Sequence, residues 1–103
     1  MEVFIRIDHA AGAVEAGLEL PPTELIIFGN ARAGTPLMQV NQMVGIDLPL
    51  KALVWQDASG KTWLTFLQPA ALVLRHDLGG ETAQIIGHMT ALLEAVVAKA
   101  VNP

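Results

Sequence analysis

Asn30, Arg32 and Thr35 lie within six residues of one another, just after an apolar run. A guanidinium, a hydroxyl and the free N–H groups opening a helix are the groups that hold a carboxylate or a phosphate. Asp47 and Lys51 flank Pro49 on the far side of the same helical segment. Trp55 follows on the next strand, and Trp63 could join it as an aromatic platform. The expected ligand site therefore holds Asn30, Arg32, Thr35, Asp47, Lys51 and Trp55, and takes a small anion or amphipathic molecule. Against it stands the plain reading: Asn30 and Gly34 shape a turn, Thr35 caps a helix, Arg32 is solvated, and Asp47 with Lys51 is a weak surface pair. Asp8 beside His9 invites an acid–base role. Neighbouring strand residues point to opposite faces, however, so the two do not naturally meet. Asp8 as the cap of a helix starting near Ala10 is the stronger expectation.

Other chemistries find little. His9, His76 and His88 lack the spacing of a helical ligand pair, and the chain has no cysteine, so no metal site is expected. His76 near a helix end is read as a favourable imidazole beside the dipole. Ser59 sits in a turn without a nucleophile elbow around it. No glycine pattern of a phosphate loop or dinucleotide fingerprint occurs, and no cofactor is expected.

These groups need elements to position them. Val3 to Ile7 alternates as a strand. Ala10 to Glu15 reads as a short helix stopped by Gly17. Pro21-Pro22 sets an extended entry to a strand over Glu24 to Phe28. Thr35-Pro36 predicts a helix start, with Leu37, Val40 and Val44 on one face, Gly45 as its stop, and Gln39, Asn41 and Gln42 solvated. Leu50 to Asp57 and Lys61 to Leu67 predict a hairpin that pairs Trp55 with Trp63, with Gly60 left-handed in its three-residue loop. Leu53, Trp55, Trp63, Thr65 and Leu67 then share one face; Ala52, Val54, Leu64 and Phe66 share the other. Pro69 to Arg75 is a short helix, broken at Asp77 to Gly80. A long helix follows from Glu81 to Lys99, with an apolar stripe through Ile85, Met89, Leu92, Leu93, Val96 and Ala100. Opposite runs a small-residue stripe: Gly87, Ala91, Ala95 and Ala98. The expected fold is α+β: one domain over 1–103, an antiparallel sheet of about four strands, a short helix between strands, and a long C-terminal helix packed on one face.

The chain has 103 residues, of which 52% are hydrophobic and 16% charged. Soluble domains run nearer ~25% charged. That surplus of apolar side chains predicts a second covered surface, most simply a contact between like copies. The net charge of −4 and six scattered basic residues argue against nucleic acid. The start lacks a secretory leader, and the apolar stretch Ile85 to Val101 is too short and too polar to cross a bilayer. A cytoplasmic protein without membrane or nucleic-acid partners is the expectation.

Ile7-Asp8-His9, Phe28-Gly29-Asn30, Gly34-Thr35-Pro36-Leu37-Met38, Asp47-Leu48-Pro49-Leu50-Lys51 before Val54-Trp55, and Arg75-His76 together resemble the domain of unknown function 302 family. The resemblance covers essentially the whole chain. It implies a compact α+β domain, commonly a homodimer, and brings no biochemical activity with it. Two departures stand out. The family usually begins with a strand and helix ahead of the segment that is Val3 to Ile7 here, so a sheet edge or face left open and closed by a second subunit is expected. Ala31 also stands where the family often has proline.

Three functions follow. The first is a non-catalytic homodimeric module binding a small ligand. The second is an enzyme using His9 with Asp8 or Asp47. The third is a structural or protein-interaction domain.

Overall fold

A computed structural model describes residues 2–29 and 31–101. The chain divides into two compact units, one holding the sheet with the first helix, the other the remaining helices.

The sheet unit comprises β1 (Glu2–Asp8), α1 (His9–Glu15), β2 (Thr23–Gly29), β3 (Leu50–Gln56) and β4 (Thr62–Phe66). The strands lie in sequence order, all antiparallel. Their β-branched and aromatic residues suit a pleated surface. α1 stops as its sequence suggests. Gly17 takes φ 76, and the N–H groups of Leu18 and Gly17 reach back to the carbonyls of Ala13 and Val14. These two bonds satisfy carbonyls that the helix end leaves open.

The register assigns the paired strand residues to faces, with an irregularity in β1 between Val3 and Ile5. On one face lie Ile26 and Phe28 of β2, Leu50, Ala52 and Val54 of β3, and Leu64 and Phe66 of β4. Phe28, Leu50 and Ala52 are buried. On the other face lie Ile5 and Ile7, then Thr23, Leu25 and Ile27, then Lys51, Leu53 and Trp55, then Trp63 and Thr65. None of these is buried. Ile5 is 50% exposed, Ile7 37% and Trp63 43%. The hairpin faces from Ala52 to Phe66 and the Trp55–Trp63 pairing are as the sequence predicts, while Leu67 lies beyond the end of β4. The turn is as predicted too: Asp57 N–H donates to the Lys61 carbonyl, and Gly60 has φ 86.

The second unit contains α2 (Ala31–Val40), a 3-10 helix (Gln42–Asp47), α3 (Ala70–His76), a 3-10 turn (Gly80–Thr82) and α4 (Ala83–Val101). Its buried residues are Leu37, Val44, Pro69, Leu72, Leu78, Ile86, Met89 and Leu93, with His76 and Thr82. α2 contacts α4, and α3 contacts the 3-10 helix. On α4 the positions 86, 89 and 93 form the buried stripe, so Ile86 rather than Ile85 heads it. The small residues Gly87, Ala91, Ala95 and Ala98 are exposed. Among the described residues no helix is long and apolar enough to cross a membrane.

The segment after β2 differs from expectation. The helix begins at Ala31, not at Thr35, and Pro36 lies inside it. A proline there removes one ladder bond, which normally favours the first turn. Here the fully buried Leu37 fixes the next position against the core of its unit. The helix also ends at Val40 instead of Gly45, because Asn41 turns extended at φ −150 and caps the 3-10 helix. Val40 is consequently exposed rather than aligned with Leu37 and Val44.

Candidate functional site

The densest polar cluster lies in the helical unit and centres on Asp47. Asp47 ends the 3-10 helix, while Arg75 and His76 end α3. Asp47 Oδ2 lies 2.5 Å from His76 Nε2, and Oδ1 accepts from the Arg75 guanidinium at 2.9 Å. The His76 side chain is 7% exposed and that of Asp47 16%. Asn41 completes the knot. Its Nδ2 donates to the His76 carbonyl at 2.8 Å, and its Oδ1 accepts from Met43 N–H at 3.0 Å. The first bond satisfies a carbonyl that the end of α3 leaves without a helical partner. The second caps the 3-10 helix. The hydrogen bond from His76, then that from Arg75, hold the Asp47 carboxyl below the usual carboxylate range, with burial opposing. A positive group at the C-terminus of α3 is also favoured by the helix dipole.

This cluster ties two short elements together, and it claims both oxygens of Asp47. The imidazole that meets Asp47 is His76. His9 is the exposed first residue of α1. Asp8 caps that helix, its Oδ1 accepting from Ala11 N–H at 2.9 Å. Among the described residues no hydrogen bond joins Asp8 to His9.

The expected ligand residues fall in both units, Arg32, Thr35 and Asp47 in the helical one and Lys51 and Trp55 in the sheet one. Asn30 lies outside the described residues. Arg32 is exposed in the first turn of α2. Thr35 sits in mid-helix and does not cap it, so the anion cradle drawn around a start at Thr35 loses its geometric basis. Lys51 and Trp55 share the open face of the sheet. Among the described residues no group of three or more acidic or histidine side chains is placed to hold a metal ion.

That open face carries a second ordered cluster. Trp55 and Trp63 stack with centroids 6.1 Å apart and planes 20° from parallel. Trp55 Nε1 donates to Thr65 Oγ1 at 2.8 Å, and Trp63 Nε1 donates to Asp57 Oδ2 at 2.9 Å. Lys61 Nζ lies 4.4 Å from the Trp63 ring centroid. Asp57 Oδ1 accepts from Ser59 Oγ and from the N–H groups of Ser59 and Lys61. Chief among these, the indole N–H lowers the Asp57 carboxyl to about 2. The turn residue thus fixes a half-exposed tryptophan.

Sequence reasoning missed Asn41, Arg75 and His76 as members of one site. The available signal was that Asp47 and Arg75-His76 both stand in the motifs of the family resemblance. Asn41 carried no comparable mark, since an amide in a polar run reads as solvated.

The fold and the family resemblance agree with the comparisons. The chain belongs to the family described as domain of unknown function DUF302, whose model matches residues 1–96. A crystal structure of a conserved DUF302 protein from Bacillus stearothermophilus shares the fold with a TM-score of 0.76 at 23% identity, covering 90% of this chain and 72% of that one. Over 79 residues the chain is 63% identical to the fluoride-specific ion channel FluC 1 of Brucella suis biovar 1 (strain 1330). It is equally similar to FluC 1 of Brucella abortus biovar 1 (strain 9-941). The match takes 77% of this chain but only 31% and 29% of those relatives.

Proposed function

We propose that the chain is a non-catalytic cytoplasmic interaction module that works as a homodimer paired through the tryptophan face of its sheet. The observation that carries this is the composition of that face. Ile5, Ile7, Leu25, Ile27, Leu53, Trp55 and Trp63 spread across all four strands, and none is buried. An apolar sheet face is stabilised by a second layer laid against it. A like copy supplies a layer of the same character. Sedimentation at micromolar concentration tests the proposal. The expected result is a dimer that Leu25→Glu converts to a folded monomer with an unchanged far-ultraviolet spectrum. A wild-type monomer would refute it.

A second reading comes from the relatives. Proteins named as fluoride-specific channels contain a segment 63% identical to this chain. In that reading the module acts beside such a channel. Its test is co-purification with a FluC channel from detergent extracts, and it fails if the two separate at every salt concentration.

A further inference from the structure

His76 is buried, yet only one of its two ring nitrogens is engaged. Nε2 meets Asp47 Oδ2, and among the described residues that is the ring's one hydrogen bond. Among the same residues no buried side-chain nitrogen or oxygen is without a partner. Nδ1 is therefore not sealed in the core. It reaches solvent through the 7% of the side chain that stays exposed.

Asp47 decides the state of that nitrogen. Its carboxyl is held below the usual carboxylate range, so it accepts and does not donate. The proton between the two side chains then sits on Nε2, and in the neutral ring Nδ1 carries the free electron pair. The ring is held in place: Asp47 is itself bound by the Arg75 guanidinium, and the His76 carbonyl by Asn41. A carboxylate behind one ring nitrogen and an open electron pair on the other prepare an imidazole to attack an electrophile. Among the described residues no hydroxyl bonds to Nδ1, and the chain has no thiol, so the nitrogen itself is the nucleophile. His9 and His88 are exposed, and among the described residues no carboxylate pairs with either.

We infer that His76 is a nucleophilic imidazole, open at Nδ1 and clamped at Nε2 by Asp47, that takes an acyl group from compact activated acyl compounds. Nδ1 forms a bond to the acyl carbon, and the leaving group departs with its electron pair. The Nε2 proton stays in the bond to Asp47, whose negative charge offsets the cation formed on the ring. This modification site is independent of the homodimer proposed above. Diethyl pyrocarbonate, a compact acyl donor, tests it, with mass spectrometry following each histidine separately. In the native protein His76 should react at least as fast as His9 and His88, although burial alone would make it slower. Asp47→Asn should slow His76 at least ~10-fold and leave His9 and His88 unchanged, because an amide favours the other tautomer and puts the proton on Nδ1. In urea, with the clamp lost, all the histidines should react alike. A native His76 slower than both exposed histidines overturns the inference, as does a folded Asp47→Asn chain in which His76 keeps its rate. If Asp47→Asn fails to fold, its histidines show the urea pattern, and the wild-type ranking decides alone.

Discussion

Asp47 and His76 stand 29 residues apart in sequence, yet their side chains meet at 2.5 Å, joining the end of the 3-10 helix to the end of α3. Arg75 takes the other carboxylate oxygen. The folded-state pKa of Asp47 is depressed. Its contribution to stability is therefore complete above the unfolded carboxylate value of ~3.9 and disappears as pH falls through the lower folded value. Asp47→Asn should cost about 2 kcal/mol near neutral pH, the scale of charge-assisted hydrogen bonds. It should also flatten the acid limb of stability against pH. Urea melts from pH 2 to 7 check both. An unchanged acid limb would mean that Asp47 is ordinary in the folded chain.

Asp57 and Trp63 allow an optical test. The Asp57 carboxyl titrates at about 2 in the folded protein because the indole and the turn donate to it. Protonation removes the charged acceptor of the Trp63 N–H. Tryptophan emission should shift as pH falls toward 2, and Asp57→Asn should abolish that transition while leaving the far-ultraviolet spectrum intact. The near-ultraviolet signal of the Trp55–Trp63 stack should weaken in Asp57→Ala at neutral pH. A spectrum identical to wild type would show that the carboxylate does not fix the ring.

The hairpin was legible because its signals are local. Asp57 to Lys61 dictates the turn, the turn fixes the register, and the register places Trp55 opposite Trp63. Asp8 was legible for the same reason, since a carboxylate three residues before an N–H is a cap. The α2 region was not. Proline and threonine there mimic a helix start, while the feature that fixes the segment is a fully buried Leu37, a property of packing. The Asp47–Arg75–His76 knot was hidden for a related reason. It depends on which helix ends become neighbours, and no periodicity in a single chain reports that. The open sheet face was partly legible: the apolar surplus of the chain implied a second surface to cover, but only the register separates Phe28, Leu50 and Ala52 from the uncovered set.

The cap of α1 carries a prediction about a marginal element. α1 has seven residues, none of them buried. A helix that short has little propensity to form alone. Its start depends on Asp8 and its end on Gly17. Asp8→Ala should cost about 1 kcal/mol, the usual value of such a cap. Ala11 and its neighbours should exchange their amide hydrogens faster while the strands keep their protection. Uniform loss of protection across the sheet would mean that α1 is not an independent local unit.

Asp77 offers a stabilising change. It follows α3 with φ 51 and ψ 49, the left-handed conformation. Its N–H and that of Leu78 both return to the Val73 carbonyl, closing the helix. A side chain at that position is strained, whereas glycine adopts it without penalty. The same substitution loosens the unfolded chain, which offsets part of the gain. Asp77 also adds a negative charge beside a helix C-terminus, where the dipole disfavours it. Relief of both effects should leave Asp77→Gly more stable by about 0.5–1 kcal/mol. Asp77→Asn, which tolerates the left-handed region and drops the charge, should fall between wild type and Asp77→Gly. Asp77→Val should lose at least ~1 kcal/mol, because branching at Cβ makes this backbone worse. Thermal melts of the three variants rank them. A valine variant as stable as the glycine one would show that α3 ends in some other conformation.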